Sequence, residues 1–199
     1  MSKTLVYISW GHLGAHGREP SKGAESPFNA KWEVIEVGKY IQAIMATCLK
    51  AGFHVIIDGE GGLDERQRKA CQYASDFDKV AYVSCHLNAF PGEDPKQKAV
   101  FFHDARSQGG RALAHCINDR ITRTFVIGSM PVVVRETRPD DWTVNAHACV
   151  AGIFAGPANI SAVLCEPFAM NATPKINNAD LRLMGRTIAA GIVDWTRVT

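Results

Sequence analysis

No stretch of this 199-residue chain reaches the run of about 18 uninterrupted apolar residues that a membrane-crossing helix needs. No block of like charge stands out either. The 22 basic and 20 acidic residues are spread along the sequence for a formal charge of +2, so neither nucleic acid nor an anionic membrane is indicated as a partner. The six cysteines, at 48, 71, 85, 116, 149 and 165, include no C-x-x-C pair. Most lie within apolar or helical patterns, which argues for buried reduced thiols over a disulfide framework or a cysteine zinc site. Repeats, low-complexity tracts and linker-like segments are also lacking, so residues 1–199 read as one domain. The N-terminus, MSKTLVYISWGHLG, has one lysine and a short apolar run without a cleavage-like ending. It reads as a first strand rather than a secretory signal, and the expectation is synthesis in a cytoplasm.

What is present is ordinary globular material, 46% apolar and 21% charged, enough for a sizeable core. Short β-rich runs alternate with helical patterns. Strands are expected at Thr4–Ser9, Phe53–Ile57, Val80–Ser84, Val100–Phe102, Val132–Val134 and Ala162–Cys165. A helix is expected from about Asn29 to Ala51, where Val37, Ile41, Ile44 and Cys48 keep helical spacing and Gly52 follows as a terminating glycine. Others are expected at Glu65–Ser75, after Ser107 as N-cap, and over Asp180–Trp195. The alternation predicts an α/β fold, an open, mostly parallel twisted sheet of about six strands flanked by helices on both faces. Arg135–Pro157 is the least regular stretch and reads as a functional loop.

Ligands of such sheets sit beyond the carboxyl ends of the strands. Three residues fit for metal or acid–base chemistry fall there: His12 after the first strand, His86 after Val80–Ser84, and Glu166 after Ala162–Cys165. A histidine after a strand is often no more than a hydrogen-bonded loop residue, and a glutamate before Pro167 can be a solvated turn. The coincidence of all three carries more weight than any one. His16, His54, His103, His115 and His147 have no comparable placement, and His54, inside a strand pattern, reads as structural. A catalytic zinc site takes three protein ligands and an open position. The segment KWEVIE, opening the first long helix, offers Glu33 and Glu36, although acidic residues in a first turn commonly serve the helix dipole.

At these residues the chain resembles the zinc-dependent N-acetylmuramoyl-L-alanine amidases, a group that includes phage endolysin catalytic domains and bacterial cell-separation amidases. The resemblance rests on ISWGHLGAHG, WEVIEVGKYI, VSCHLNAF and AVLCEPFAMNA, in family order along nearly the whole chain. SCHLNA and AVLCEPFAMN are the specific matches. It implies that His12, Glu33 and His86 hold Zn²⁺ and that Glu166 is the catalytic acid–base, with the distance to Gly52 selecting Glu33 over Glu36. It further implies peptidoglycan as the partner, the amide between N-acetylmuramic acid and L-alanine as the bond cut, and a catalytic domain with no separate cell-wall-binding domain. Alternation along the strand puts Cys85 on the face opposite His86, as packing rather than as a ligand, and the same holds for Cys165 beside Glu166. Arg135 or Arg138 could assist an oxyanion, or be solvated loop charges.

Two other readings compete. A zinc carboxypeptidase-like peptidase acting on cell-wall peptides uses the same ligand types, but tends to draw histidine and glutamate from one short H-x-x-E segment. Here about twenty residues separate His12 from Glu33. A non-catalytic cell-wall binding module would have no use for an acid–base at a strand end. Among amidases, a lone catalytic domain without an export signal reads as a phage endolysin, made in the host cytoplasm and acting on the wall after release.

Overall fold

The computed structural model describes residues 3–12, 32–89, 96–124, 131–141, 143–154, 156–172 and 175–198. The Gly-rich segment after His12, with His16 and the expected start of the first helix near Asn29, lies outside them. In chain order the elements are β1 (Thr4–Trp10), α1 (Glu33–Lys50), β2 (His54–Asp58), α2 (Leu63–Tyr73), a 3-10 turn at Ala74–Asp76, β3 (Lys79–Cys85) and β4 (Ala99–Asp104). There follow α3 (Gln108–Thr124), β5 (Val132–Thr137), α4 (Val144–Ala148), α5 (Ala151–Phe154), β6 (Ile160–Glu166) and α6 (Asn178–Val198). The six strands form one sheet in the order β2-β1-β3-β6-β4-β5. All pairings are parallel except β4 with β6, where Val100 faces Glu166.

Strict alternation along the central strands builds two apolar layers. Val6 and Ile8, Ala81 and Val83, Phe101, Val163 and Cys165 face one side. There α1 contributes Val37, Tyr40, Ile41, Ile44 and Cys48, α3 contributes Leu113, Ile117 and Ile121, and α6 contributes Leu181, Met184, Ile188, Ile192 and Trp195. Leu5 and Tyr7, Val80 and Tyr82, Val100 and Phe102, Ile160, Ala162 and Leu164 face the other, under α2, α4 and α5. β1, β3 and β6 are buried on both faces, which is why their sequences read as continuous apolar runs rather than alternating ones. Gly52 takes the left-handed φ of 84° just past α1, the conformation that ends a helix and that glycine alone adopts without strain. Ser107 accepts the Gly110 N–H at 3.0 Å, capping α3 as its position suggests.

Arg135–Pro157 is more regular than its sequence suggests. β5 extends through Thr137, and the two short helices α4 and α5 follow. Five and four residues are too few to show a 3.6-residue period, so the pattern was not there to be read.

Candidate active site

Trp10, Cys85 and Cys165 stand side by side in register near the ends of β1, β3 and β6. The residues that follow emerge together at the carboxyl ends of these three central strands. The ladder runs on past Trp10 and Cys85: Gly11 N–H donates to the Cys85 carbonyl and His86 N–H to the Cys165 carbonyl, both at 2.9 Å. A Cβ on Gly11 would lie 2.6 Å from the His86 ring, so a glycine is what lets β1 pass the imidazole. His12 then turns the chain at a φ of 61°, a left-handed conformation unusual outside glycine and often found at functional sites.

Glu33 reaches the same place from the first residue of α1. The Trp10 indole N–H donates to the Val34 carbonyl at 3.0 Å, and its ring occupies the space beside Gly38, where a Cβ would come within 2.5 Å of it. The helix start is thereby fixed to the end of β1. Glu33 Oε1 lies 3.2 Å from His12 Nε2 and 3.2 Å from His86 Nδ1, and accepts the Leu87 N–H at 3.0 Å. The two imidazoles meet edge to face with centroids 4.9 Å apart. His12, Glu33 and His86 each offer a ligating atom within 4.8 Å of the others, a grouping found nowhere else among the described residues.

This donor set fits a metal ion. The 3.2 Å separations exceed the roughly 2.7–2.9 Å of a charge-assisted N–H···O bond. They match the ~3.3 Å edge of a tetrahedron whose donors stand about 2.0–2.1 Å from zinc. His86 Nε2, the ring nitrogen turned away from Glu33, is buried without a hydrogen-bond partner among the described residues. Burial alone would raise the Glu33 carboxyl, but hydrogen bonds and charge from His12 and His86 outweigh it and hold the group well below the usual carboxylate range. Glu36, one turn on, does not join the cluster. It is buried against Lys39, whose Nζ lies 2.6 Å from Glu36 Oε1 and 2.9 Å from Asn178 Oδ1.

Glu166 is partly buried at the end of β6. Desolvation, reinforced by the negative charge of Glu33 and opposed by His12, pushes its carboxyl up to about 7. Its Oε2 accepts a bond from Asn88 Nδ2 at 2.5 Å. Cys85 and Cys165 are fully buried on the opposite face, and burial pushes the Cys85 thiol up to about 12. Both act as packing groups, and all six cysteines are free thiols.

Other residues singled out in the sequence lie elsewhere. Arg135 and Arg138 are exposed, Arg135 on edge strand β5, and Arg138 lies 3.7 Å from Glu136. Because β4 and β5 run opposite to β6, the end of β5 points away from Glu166, and neither arginine belongs to the site. His54 is exposed on edge strand β2, its ring edge-on to Phe77. His147 is buried near Asp104 at 3.7 Å and Thr137 Oγ1 at 3.3 Å, tying α4 to the sheet. Sequence reasoning missed Asn88, although it lies inside the motif SCHLNA. It also missed Arg66, a buried guanidinium that donates to the Trp10 carbonyl at 2.6 Å and to the Gly59, Glu60 and Gly61 carbonyls. No periodic signal marks an arginine that binds backbone oxygens.

Fold and site together define a hydrolase of the open-sheet α/β class, with a metal-competent His-Glu-His group and a separate carboxyl on the neighbouring strand. A family model described as N-acetylmuramoyl-L-alanine amidase matches residues 6–194, and the chain belongs to that family. It is therefore a peptidoglycan amidase, whose substrate amide joins N-acetylmuramic acid to L-alanine. Solved structures share the fold at low identity. An N-acetylmuramoyl-L-alanine amidase from Clostridium difficile 630 superposes with a TM-score of 0.72 at 17% identity, over 100% of each chain. The amidase AmiC2 of Nostoc punctiforme gives 0.71 at 15% identity over 97% of each. The catalytic domain of the CD27L endolysin, which targets Clostridia difficile, gives 0.59 at 16% identity over 98% of each. No curated protein matches the chain in sequence.

Proposed function

We propose that this amidase works with a zinc ion held by His12, Glu33 and His86, with Glu166 as its acid–base. The observation that carries the reading is the meeting of three donors, from β1, α1 and β3, beside a partly buried carboxyl on adjacent β6. Bound there, zinc would supply Lewis acidity, polarising the scissile carbonyl and bringing the pKa of water toward ~7. Leu87 N–H and the two imidazoles keep Glu33 ionised and fixed in place. Glu166 takes a proton from the attacking water and returns it to the departing alanine nitrogen, so that a neutral amine leaves. Desolvation at the end of β6 pushes the Glu166 carboxyl upward, toward the range in which a carboxyl can both take and return a proton. Digestion of purified peptidoglycan with and without a chelator tests the proposal, alongside metal analysis of the purified chain. One zinc per chain, loss of turnover on chelation and recovery with added Zn²⁺ are expected. Undiminished digestion after thorough chelation would overturn it.

The biological role we propose is that of a phage endolysin, made in the host cytoplasm and released to the wall. The likeness to an endolysin catalytic domain over 98% of both chains supports this reading. Expression in the cytoplasm should leave cells intact until a holin permeabilises the membrane, and then lyse them. Lysis that never depends on the holin would count against it.

A further inference from the structure

Asn88 lies two residues past His86, and every polar group it has is engaged. Its N–H donates to the Phe168 carbonyl at 2.8 Å and its carbonyl accepts the Met170 N–H at 2.8 Å, an isolated bridge that joins the segment after β3 to the segment after β6. Its side-chain oxygen accepts the Ala89 N–H at 2.7 Å, so the amide nitrogen is the end that faces outward. That nitrogen donates to Glu166 Oε2 at 2.5 Å. The bridge is itself braced from beneath by Gln97, 5% exposed, which accepts the Ala169 N–H at 2.9 Å and donates to the Ala169 and Ala172 carbonyls at 3.0 and 3.3 Å.

A glutamate side chain has three rotatable bonds, and a carboxyl at a strand end can sweep a wide arc unless something holds it. A catalytic group must stay near its productive geometry, and a 1 Å misplacement can cost on the order of 10²-fold in rate. We infer that Asn88 is the positioning residue for Glu166: its carboxamide takes one carboxyl oxygen as a fixed donor and leaves the other for proton transfer. A carboxamide suits the task because it donates without itself exchanging a proton in the working pH range. The backbone bridge and Gln97 fix Asn88 relative to β6, so the donor and the carboxyl it holds move as one unit. The inference rests on Glu166 being the acid–base.

Two substitutions separate this role from a merely structural one. Asn88→Asp keeps the shape and the oxygen that accepts the Ala89 N–H, but loses the donor to Glu166. Asn88→Ala loses both. With a soluble muropeptide substrate, both variants should show kcat reduced by roughly 10–10² -fold with KM unchanged, and bound metal as in the parent. If Asn88 served only to hold Ala89, Asn88→Asp would turn over like the parent while Asn88→Ala lost thermal stability, and that result would overturn the inference. Glu166→Gln is run beside them as a control. Parent-like turnover in that variant would remove the acid–base reading and this inference with it. A dead Glu166→Gln together with fully active Asn88→Asp and Asn88→Ala would remove this inference alone.

Discussion

Glu33 and Glu166 are the same residue type in one site, and their surroundings drive them apart. Two imidazoles and a backbone N–H favour the charged form of Glu33, whereas burial and the charge of Glu33 favour the neutral form of Glu166. Divergent pairs of this kind mark acid–base assignments. Glu166→Gln should keep the fold and bound metal but lose about 10²–10⁴-fold in turnover, measured as release of stem peptide. The same substitution has a pH signature in the metal-free protein. The Glu166 pKa is raised on folding, so its contribution to stability is full below ~4.3 and is lost as pH rises through about 7. Chelated Glu166→Gln should therefore match the chelated parent at pH 4 and exceed it at pH 8, by at most about 4 kcal/mol in urea unfolding. Equal stabilities at both pH values would show that burial does not penalise this carboxylate. Glu33 and Glu36 differ in the same local way. Glu33→Ala should abolish stoichiometric metal binding, and Glu36→Ala, which removes a carboxylate paired with Lys39, should retain it. Metal analysis of the two folded variants decides between them. The grouping at the candidate site was largely legible at this scale because His12, His86 and Glu166 each follow an apolar run that reads as a buried strand. Asn88 was not, because its role depends on a carboxyl 78 positions away.

The helices show where reading by periodicity stops. Ile41, Ile44 and Cys48 of α1, and Leu181, Met184, Ile188, Ile192 and Trp195 of α6, announce apolar stripes, but nothing in the spacing says which stripe faces which. The structure brings α6 against both α1 and α3, and glycines make the approach possible. A Cβ on Gly185 would collide with the Tyr40 carbonyl and stand 2.8 Å from the Ala43 Cβ, while one on Gly191 would stand 2.5 Å from the Ile117 Cα. In an isolated helix, Gly→Ala would gain about 0.5–1 kcal/mol. Here the obstacle is backbone, which cannot swing aside, and forced repacking costs about 1–3 kcal/mol. Gly185→Ala should thus lower the melting temperature despite its better helix propensity. A higher melting temperature would mean that α1 and α6 are not packed this closely. Strand direction was equally hidden: β4 reads as apolar in either orientation, and only its pairing with β6 shows that it runs against it. β5 was read too short because Arg135 and Glu136 interrupt the apolar pattern, which an edge strand facing solvent tolerates.

Across the whole molecule, the chemistry is confined to one end of the sheet, where β1, β3 and β6 finish together. Arg66 gathers the ends of β1 and β2, the Asn88–Ala169 bridge gathers those of β3 and β6, and Trp10 adds the start of α1. This concentration brings two carboxyls close enough to perturb one another, an arrangement that also occurs in enzymes that cut sugar chains. Peptidoglycan offers both amide and glycosidic bonds, so the distinction has consequences for the product. A glycosidase needs its second carboxylate free to attack the sugar or to activate water. Glu33 is 3% exposed, and one of its oxygens faces His12, His86 and the Leu87 N–H together. It is committed to holding the imidazoles and has no open side from which to act on a sugar ring. The pair therefore divides into one fixed carboxylate and one, Glu166, left for the acid–base role proposed for it. Digested peptidoglycan should gain free L-alanine amino groups in step with the release of stem peptides, and its glycan strands should keep their length. Reducing sugar ends appearing without new amino groups would show that Glu33 acts in the chemistry directly.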